Sequence, residues 1–210
     1  MSEITGRSML PKGFVYLDEA VPGTLSDAKY AGSDNFVGAP VDGYLAPRVA
    51  GSIELARALL RARDAAAVMR LRLLFWDAYR PQRAVNHFIR WSREPEDFRT
   101  KAAHYPRIAK TDLIPLGYVA EKSGHSRGGT VDLTLVTLSG APLDMGGDFD
   151  LMDERSRHGF PGCTQEQTKN RLLLRRLMEQ AGFLAYSAEW WHYRLEDEPY
   201  PSTYFDFPII

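Results

Sequence analysis

The 210-residue sequence has a single cysteine, Cys163, so it cannot form an internal disulfide. No stretch approaches the about 20 consecutive apolar residues that a membrane-spanning helix needs. The segment from Met1 to Lys12 lacks the apolar run of a secretory signal. Together these absences predict a cytoplasmic protein without a disulfide framework.

An excess of charge of either sign is also lacking, since 26 basic and 27 acidic residues give a formal net charge of -1. Such a balance lacks the electrostatic footprint of a protein that binds nucleic acid or an anionic membrane. We therefore expect no nucleic acid and no membrane as partner, and a small or zwitterionic ligand instead. The sequence leaves the oligomeric state open, and an oligomer is compatible with it.

Internal repeats, low-complexity tracts and long linkers are absent as well. A chain of this length can bury roughly 70% of its unfolded surface. Its 44% hydrophobic and 25% charged residues are ordinary for a globular protein. We therefore predict a single domain over residues 1–210.

The predicted secondary structure mixes helices and strands without regular alternation. Apolar spacing and composition predict helices over 52–70, 82–93 and 164–181, the last followed by Gly182. Short apolar or β-branched runs predict strands over 71–77, 130–138 and 189–195. This order favours the α+β class.

The first chemical signal is His125 in a Gly/Ser-rich turn, followed by Asp132 inside an apolar strand. Aspartate is disfavoured within strands, and a buried carboxylate is costly unless it is paired or binds a metal. A cationic group is therefore expected beside Asp132. Taken alone, the pair is also compatible with an ordinary hydrogen bond between a histidine and a carboxylate.

The second signal is the segment Glu189-Trp-Trp-His192. Residues three apart in a strand point to opposite faces. Both side chains can reach one site only if Glu189 lies at an irregular start of the strand. The alternative is an aromatic-rich strand with a surface glutamate and a core histidine.

Together the two signals suggest a catalytic metal site. Two imidazoles and one carboxylate leave a fourth position open, as in catalytic zinc sites, although iron, cobalt or nickel would also accept these ligands. A further glutamate can deprotonate a water molecule at such a site. Arg80, which follows a predicted buried strand, can stabilise an oxyanion. Its alternative role is a structural ion pair with Asp77.

These residues lie in long blocks that resemble the D-alanyl-D-alanine dipeptidases of the vancomycin-resistance type, in zinc peptidase family M15. The resemblance runs through most of the chain. It rests on LDEAVPGTLSDAKYAGSDNFVGAPVDGY (17–44), LLFWDAYRPQRAVNHF (73–88), GYVAEKSGHSRGGTVDLTL (117–135), MGGDFDLMDERS (145–156) and AYSAEWWHYRLEDEPYPSTYFDFP (185–208).

The resemblance implies a small antiparallel sheet flanked by helices, as in the zinc DD-peptidases and the hedgehog signalling domain. It also implies one Zn2+ per chain, held by His125, Asp132 and His192. Glu189 matches the general base of the family, and Arg80 matches the residue that steadies the transition state.

Three further positions match substrate contacts of the family: Ser123, Tyr30 and Asp150. The last of these matches the residue that holds the free amino group of the dipeptide. The implied activity is hydrolysis of a small dipeptide, preferably D-Ala-D-Ala, and the preference for D-residues rests wholly on the resemblance.

Two alternatives stay open. One is a DD-carboxypeptidase or endopeptidase acting on cell-wall stem peptides, which the missing export signal disfavours. The other is a zinc-stabilised binding module without catalysis, which the hedgehog relation permits. The presence of Glu189 and Arg80 argues against the binding module, because metal binding alone requires neither.

The remaining histidines and the cysteine are assigned no catalytic role. His87 is interpreted as a packed or surface residue on a helix. His104 and His158 are expected to be solvated, and Cys163 is expected to be an inert thiol because no base or cation is placed beside it.

Overall fold

The structure, a computed structural model, describes residues 10–210, so most of the segment searched for an export signal lies outside the described residues. Its strands are β1 (Phe14–Tyr16), β2 (Leu25–Ser26), β3 (Ala50–Ser52), β4 (Leu71–Asp77), β5 (Thr130–Thr137), β6 (Phe183–Ala185) and β7 (His192–Leu195). Its α-helices are α1 (Leu17–Ala20), α2 (Ile53–Val68), α3 (Gln82–Ser92), α4 (Lys101–His104) and α5 (Gln165–Gln180).

Five of the strands form one sheet in the order β2-β4-β5-β7-β6, and β1 pairs with β3 in a separate ribbon. The central strand β5 is buried along its length except for its last residue. Helix α2 packs against β4 and against α5, and α5 also packs against β6. The core therefore lies around β5. Its neighbours β4 and β7 connect it to the two outer strands, β2 and β6.

Local sequence signals account for the two long helices. The Ser52 hydroxyl accepts a hydrogen bond from Leu55 N at the start of α2. Thr164 and Gln167 form a capping box at the start of α5. Gly182 follows α5 with a φ of +92°, a left-handed conformation that favours glycine.

The predicted elements agree with the structure in type and, within two residues, in most of their bounds. The mixed α and β architecture is confirmed. The run 189–195 is a correction: only His192–Leu195 is a strand, and Glu189 to Trp191 form a turn before it. Glu189 thus lies in an irregular segment just before the strand that begins at His192.

The expected antiparallel sheet needs a correction at one edge, where β2 runs parallel to β4. Parallel neighbours need a long crossover connection. Here the chain between the two strands contains β3 and α2, which supplies that crossover. The other pairs in the sheet are antiparallel.

The expectation that His104 and His158 are solvated is also wrong. Both side chains are half-buried, and burial lowers the pKa of both imidazoles. His158 lies edge-on to Tyr193, and its Nε2 has no hydrogen-bond partner within residues 10–210. Sequence context alone did not reveal that these two loop-like segments fold back onto the core.

Among the residues described, no helix combines the length and the apolar character that crossing a membrane requires.

We predict that His158 makes the protein sensitive to acid. Burial, reinforced by the charges of Arg175 and Arg171, lowers its pKa to about 4 from an ordinary value of 6.5. As the pH falls below the ordinary value, the unfolded state takes up the proton first, so stability is lost towards pH 4. Between about pH 7.5 and about pH 5 this group should cost roughly 1–2 kcal/mol.

The measurement is urea unfolding of the wild type and of His158→Gln at both pH values. The variant should lose less stability on acidification by that amount, since all other titrating groups are shared. An equal loss in the two proteins would show that His158 is solvated after all.

Candidate active site

Three neighbouring strands bring titratable side chains into one row. Asp77 at the end of β4 is paired with Asp132 on β5, and Asp132 is paired with His192 at the start of β7. A register irregularity between Phe75 and Asp77 precedes the first of these pairs. Cross-strand partners lie about 4.5–5.5 Å apart at their Cβ atoms, so the row is set by the sheet itself.

His125 reaches the same row from a 3-10 turn, Gly124–Arg127, just before β5. The Ser123 hydroxyl caps this turn by accepting from His125 N at 3.3 Å. Gly128 ends it with a φ of +77°, and a Cβ there would lie 2.5 Å from Phe14 Cε1. Both the backbone conformation and the close approach of the Phe14 ring therefore require glycine at this position.

The tautomer of His125 follows from its partner. Its Nδ1 lies 2.7 Å from the carbonyl oxygen of Ala78. Because a carbonyl only accepts, Nδ1 carries the hydrogen, and Nε2 presents a lone pair in the neutral ring. This type of backbone bond commonly orients a histidine that binds a metal.

The imidazoles of His125 and His192 and the carboxylate of Asp132 form a tight triangle, in which each carboxylate oxygen faces one of the two imidazoles. His125 Nε2 lies 3.2 Å from His192 Nδ1 and 3.3 Å from Asp132 Oδ2, and His192 Nδ1 lies 3.0 Å from Asp132 Oδ1. Donors of a tetrahedral zinc site with bonds of about 2.0–2.1 Å lie about 3.3–3.4 Å apart. The triangle thus fits a zinc-sized ion, and Asp132 Oδ1 is buried without a hydrogen-bond partner among the described residues.

Charge within the triangle is strongly coupled. Burial raises the pKa of Asp132, but His125 and His192 outweigh it and hold the pKa of this carboxyl well below its usual range. Burial lowers the pKa of His125. For His192, burial acts in the same direction, but the adjacent Asp132 carboxylate raises its pKa overall. The carboxylate is therefore held in the charged form that binds a cation.

Glu189 stands beside the triangle rather than in it. Its Oε2 lies 3.5 Å from His192 Nδ1, and the turn is closed by a hydrogen bond from His192 N to Glu189 O. Burial raises the pKa of Glu189. A carboxylate of raised proton affinity next to a metal-sized site can take up and return a proton.

Arg80 links the two buried carboxylates of the row. Its Nε donates to Asp77 Oδ2 at 2.9 Å, and its Nη2 lies 3.5 Å from Asp132 Oδ2. Its guanidinium also lies over the rings of Tyr30 and Phe88, at 5.0 and 5.2 Å. The ion pair with Asp77 is therefore present, and it also aims the terminal nitrogens of Arg80 at the site.

These groups line a cavity of about 250 Å³. Every residue predicted for the site borders it: Tyr30, Arg80, Ser123, His125, Asp132, Asp150, Glu189 and His192. The Tyr30 hydroxyl donates to Asp150 Oδ2 at 2.6 Å. Burial raises the pKa of Asp150 well above its ordinary value, so this carboxyl lacks an adequate cationic partner within the described protein.

Several residues of the site were not predicted from the sequence. Tyr44 donates to Asp77 Oδ1 at 2.7 Å, and both side chains are buried. Tyr186 and Trp191 line the cavity. Asp77 offered a signal, since it is a carboxylate ending a buried strand. The aromatic residues offered none, because their composition is equally typical of a core.

Comparison with known proteins gives one consistent result. The family model described as D-Ala-D-Ala dipeptidase, peptidase M15, matches residues 11–210. The chain is 54% identical to a D-alanyl-D-alanine dipeptidase of Enterococcus faecium over 198 residues, covering 94% of this chain and 98% of the relative. It is also 54% identical to one of Streptomyces coelicolor, covering 93% and 98%, and 50% identical to one of Enterococcus faecalis, covering 95% and 100%.

The triangle of donors predicts that a divalent metal stabilises the fold. At about 100 times its dissociation constant, a ligand of the native state adds about 2.7 kcal/mol, which is roughly 5–10 °C in Tm for a chain of this size. We expect this shift on adding zinc to the metal-free wild type and its loss in His125→Ala and His192→Ala.

His87→Ala is the matched control, because His87 lies on α3 and pairs with Asp42 instead of the triangle. It should keep the full shift. A wild-type shift in His192→Ala would place the metal elsewhere.

Proposed function

The chain belongs to the peptidase M15 family of D-Ala-D-Ala dipeptidases, and from this premise we propose that it is a single-domain zinc enzyme that hydrolyses D-Ala-D-Ala to two molecules of D-alanine. His125, Asp132 and His192 are the proposed ligands of one Zn2+ per chain. Glu189 is the proposed general base, and Arg80 the proposed stabiliser of the transition state.

One observation carries this proposal: two imidazole nitrogens lie 3.2 Å apart, each lies 3.0–3.3 Å from an oxygen of the Asp132 carboxylate, and all face the same cavity as a separate glutamate and a separate arginine. A site that only bound metal would need neither Glu189 nor Arg80. The names of the relatives supply the substrate, which the geometry by itself does not specify.

In the proposed reaction, a bound zinc ion supplies a Lewis acid that lowers the pKa of water and polarises the peptide carbonyl. Glu189 takes the proton of the attacking water and then passes it to the leaving amine. Its raised pKa suits both transfers. Arg80 donates to the carbonyl oxygen as that oxygen gains negative charge, while Asp77 holds the guanidinium in place.

Asp150 is proposed to bind the ammonium group of the substrate. Its pKa is raised by burial, so the arrival of a cation would restore its charged form. Tyr30 fixes one oxygen of this carboxyl by a hydrogen bond. Ser123 would bind near the scissile bond from its place at the head of the His125 turn.

The size of the cavity favours a dipeptide. Pockets for drug-sized ligands commonly hold about 300–1,000 Å³, and this one holds about 250 Å³. A longer peptide has no free ammonium at the position facing Asp150, which would leave a buried carboxyl unpaired. This argues against a stem-peptide carboxypeptidase or endopeptidase.

We predict that Glu189→Gln abolishes turnover while the metal stays bound. Loss of a general base typically costs about a hundredfold to ten-thousandfold in rate. The measurements are kcat for D-Ala-D-Ala and zinc content by atomic absorption. Glu196→Gln, a change at an exposed residue just after the end of β7, is the control and should keep full activity. Loss of zinc together with activity would make Glu189 a ligand instead of a base.

The substrate assignment predicts release of alanine from D-Ala-D-Ala and none from L-Ala-L-Ala by the zinc-loaded protein. N-acetylated D-Ala-D-Ala should also be inert, because it has no ammonium group to pair with Asp150. Release from both enantiomers would keep the zinc peptidase mechanism but discard the D,D preference. Release from neither, by folded protein with zinc bound, would overturn the proposed reaction.

A further inference from the structure

Asp150 has an unusual backbone. Its φ is +58°, a left-handed conformation that is uncommon and unfavourable for residues other than glycine. It belongs to a segment, residues 145–157, that is irregular except for one 3-10 turn, Glu154–Ser156. Such a segment has no regular ladder of hydrogen bonds to hold a strained residue. Its conformation must be imposed by contacts with the rest of the fold.

Arg171 of helix α5 supplies three such contacts. Its Nε donates to Met145 O at 2.5 Å, its Nη1 to Arg157 O at 2.6 Å and its Nη2 to Arg155 O at 2.9 Å. The first acceptor lies at one end of the segment, and the other two lie at the opposite end. One planar guanidinium thereby fixes the distance across the loop that carries Asp150.

Burying the charged side chain of Arg171 is unfavourable in free energy, which points to a specific role. The residue is 1% exposed, and no carboxylate within residues 10–210 forms an ion pair with it. A buried charge without a counter-charge is destabilising unless hydrogen bonds satisfy it. The guanidinium has five N–H donors in a fixed plane, so it can donate to three separate carbonyls at once. A lysine ammonium places all its donors on one nitrogen and could not span them.

The same guanidinium lies 5.9 Å from the ring of Trp190, the residue after Glu189. Trp190 N also donates to Ser156 O at 2.9 Å, within the held segment. The loop that carries Asp150 is therefore tied to the turn that carries Glu189. A displacement of the loop would therefore change the distance between Asp150 and Glu189, which both line the cavity.

His104 of helix α4 holds the segment at Asp150 itself. Its Nδ1 donates to Asp150 O at 3.2 Å, and Met152 N donates to His104 O at 2.6 Å. Both bonds hold the backbone immediately C-terminal to the φ angle of the left-handed residue. Neither His104 nor Arg171 lines the cavity, so neither is placed to touch the substrate.

We propose that Arg171 and His104 are positioning residues that hold Asp150 in its left-handed conformation and thereby set the selectivity for substrates with a free ammonium group. This inference rests on the proposed function, since it takes Asp150 as the group that binds the ammonium. The two side chains act on its backbone, and Tyr30 acts on its carboxyl.

The test compares D-Ala-D-Ala with D-lactoyl-D-alanine, in which a hydroxyl replaces the ammonium. The selectivity is the ratio of kcat/KM for the first substrate to that for the second. Arg171→Met and His104→Leu should lower this ratio tenfold or more, mainly through KM for D-Ala-D-Ala, because a misplacement of about 1 Å can cost about a hundredfold. Zinc content should stay unchanged.

Two matched controls separate positioning from general damage. Arg175→Met makes the same change one turn further along α5, where the arginine pairs with Glu179 at the surface. His104→Asn keeps a donor near the position of Nδ1. Both should retain the wild-type ratio within about twofold, a range that corresponds to less than about 0.5 kcal/mol. If Arg171→Met does not fold, His104→Leu and His104→Asn decide by the same ratio.

The outcomes are distinct. A parallel loss of activity on both substrates, with the ratio unchanged, would mean a merely structural role and overturn the inference. Asp150→Asn serves as the reference and should lower the ratio at least as much as either variant. An unchanged ratio in Asp150→Asn would refute the role of Asp150 and the inference with it. A zinc-loaded wild type that releases no alanine would overturn the proposed function itself.

Discussion

Two carboxylates buried on neighbouring strands, Asp77 and Asp132, impose the arrangement of the whole site. Burial raises the free energy of each charged form, so each must be matched by cations or hydrogen-bond donors. Asp77 accepts hydrogen bonds from Tyr44 and from Arg80 Nε. Asp132 lies beside two imidazoles and beside Nη2 of the same arginine. Arg80 therefore cannot be considered apart from the triangle of His125, Asp132 and His192, because it neutralises part of the same buried charge.

The fold was predictable where the information is local. Helices α2 and α5 carry their own caps, Ser52 and Thr164, and strand β5 is a continuous buried run. The parallel pairing of β2 was not predictable, since two residues carry no pattern and their partner lies beyond a helix. The run Glu189–Leu195 has strand-like composition, yet Glu189 to Trp191 form a turn, which leaves Glu189 Oε2 3.5 Å from His192 Nδ1.

The site divides in the same way. His125, Asp132, Glu189 and His192 could be proposed because residue types that are unfavourable in their local setting lie within two short segments. The hydrogen bond from Tyr30 to Asp150 joins residues 120 positions apart. The bonds of Arg171 to three carbonyls depend on a loop conformation that no pattern encodes. Resemblance to a family pointed to Tyr30 and Asp150 as separate substrate contacts, and only the folded structure reveals the bond between them and the bonds of Arg171.

The edges of the large sheet have a further consequence. Its two outer strands are very short, two residues in β2 and three in β6, while the long strands β4 and β5 lie inside. An outer strand is a template on which another chain can add through free backbone groups. Edges this short offer little room for such addition. The sheet that carries the triangle thus has outer strands on which another chain could form few hydrogen bonds.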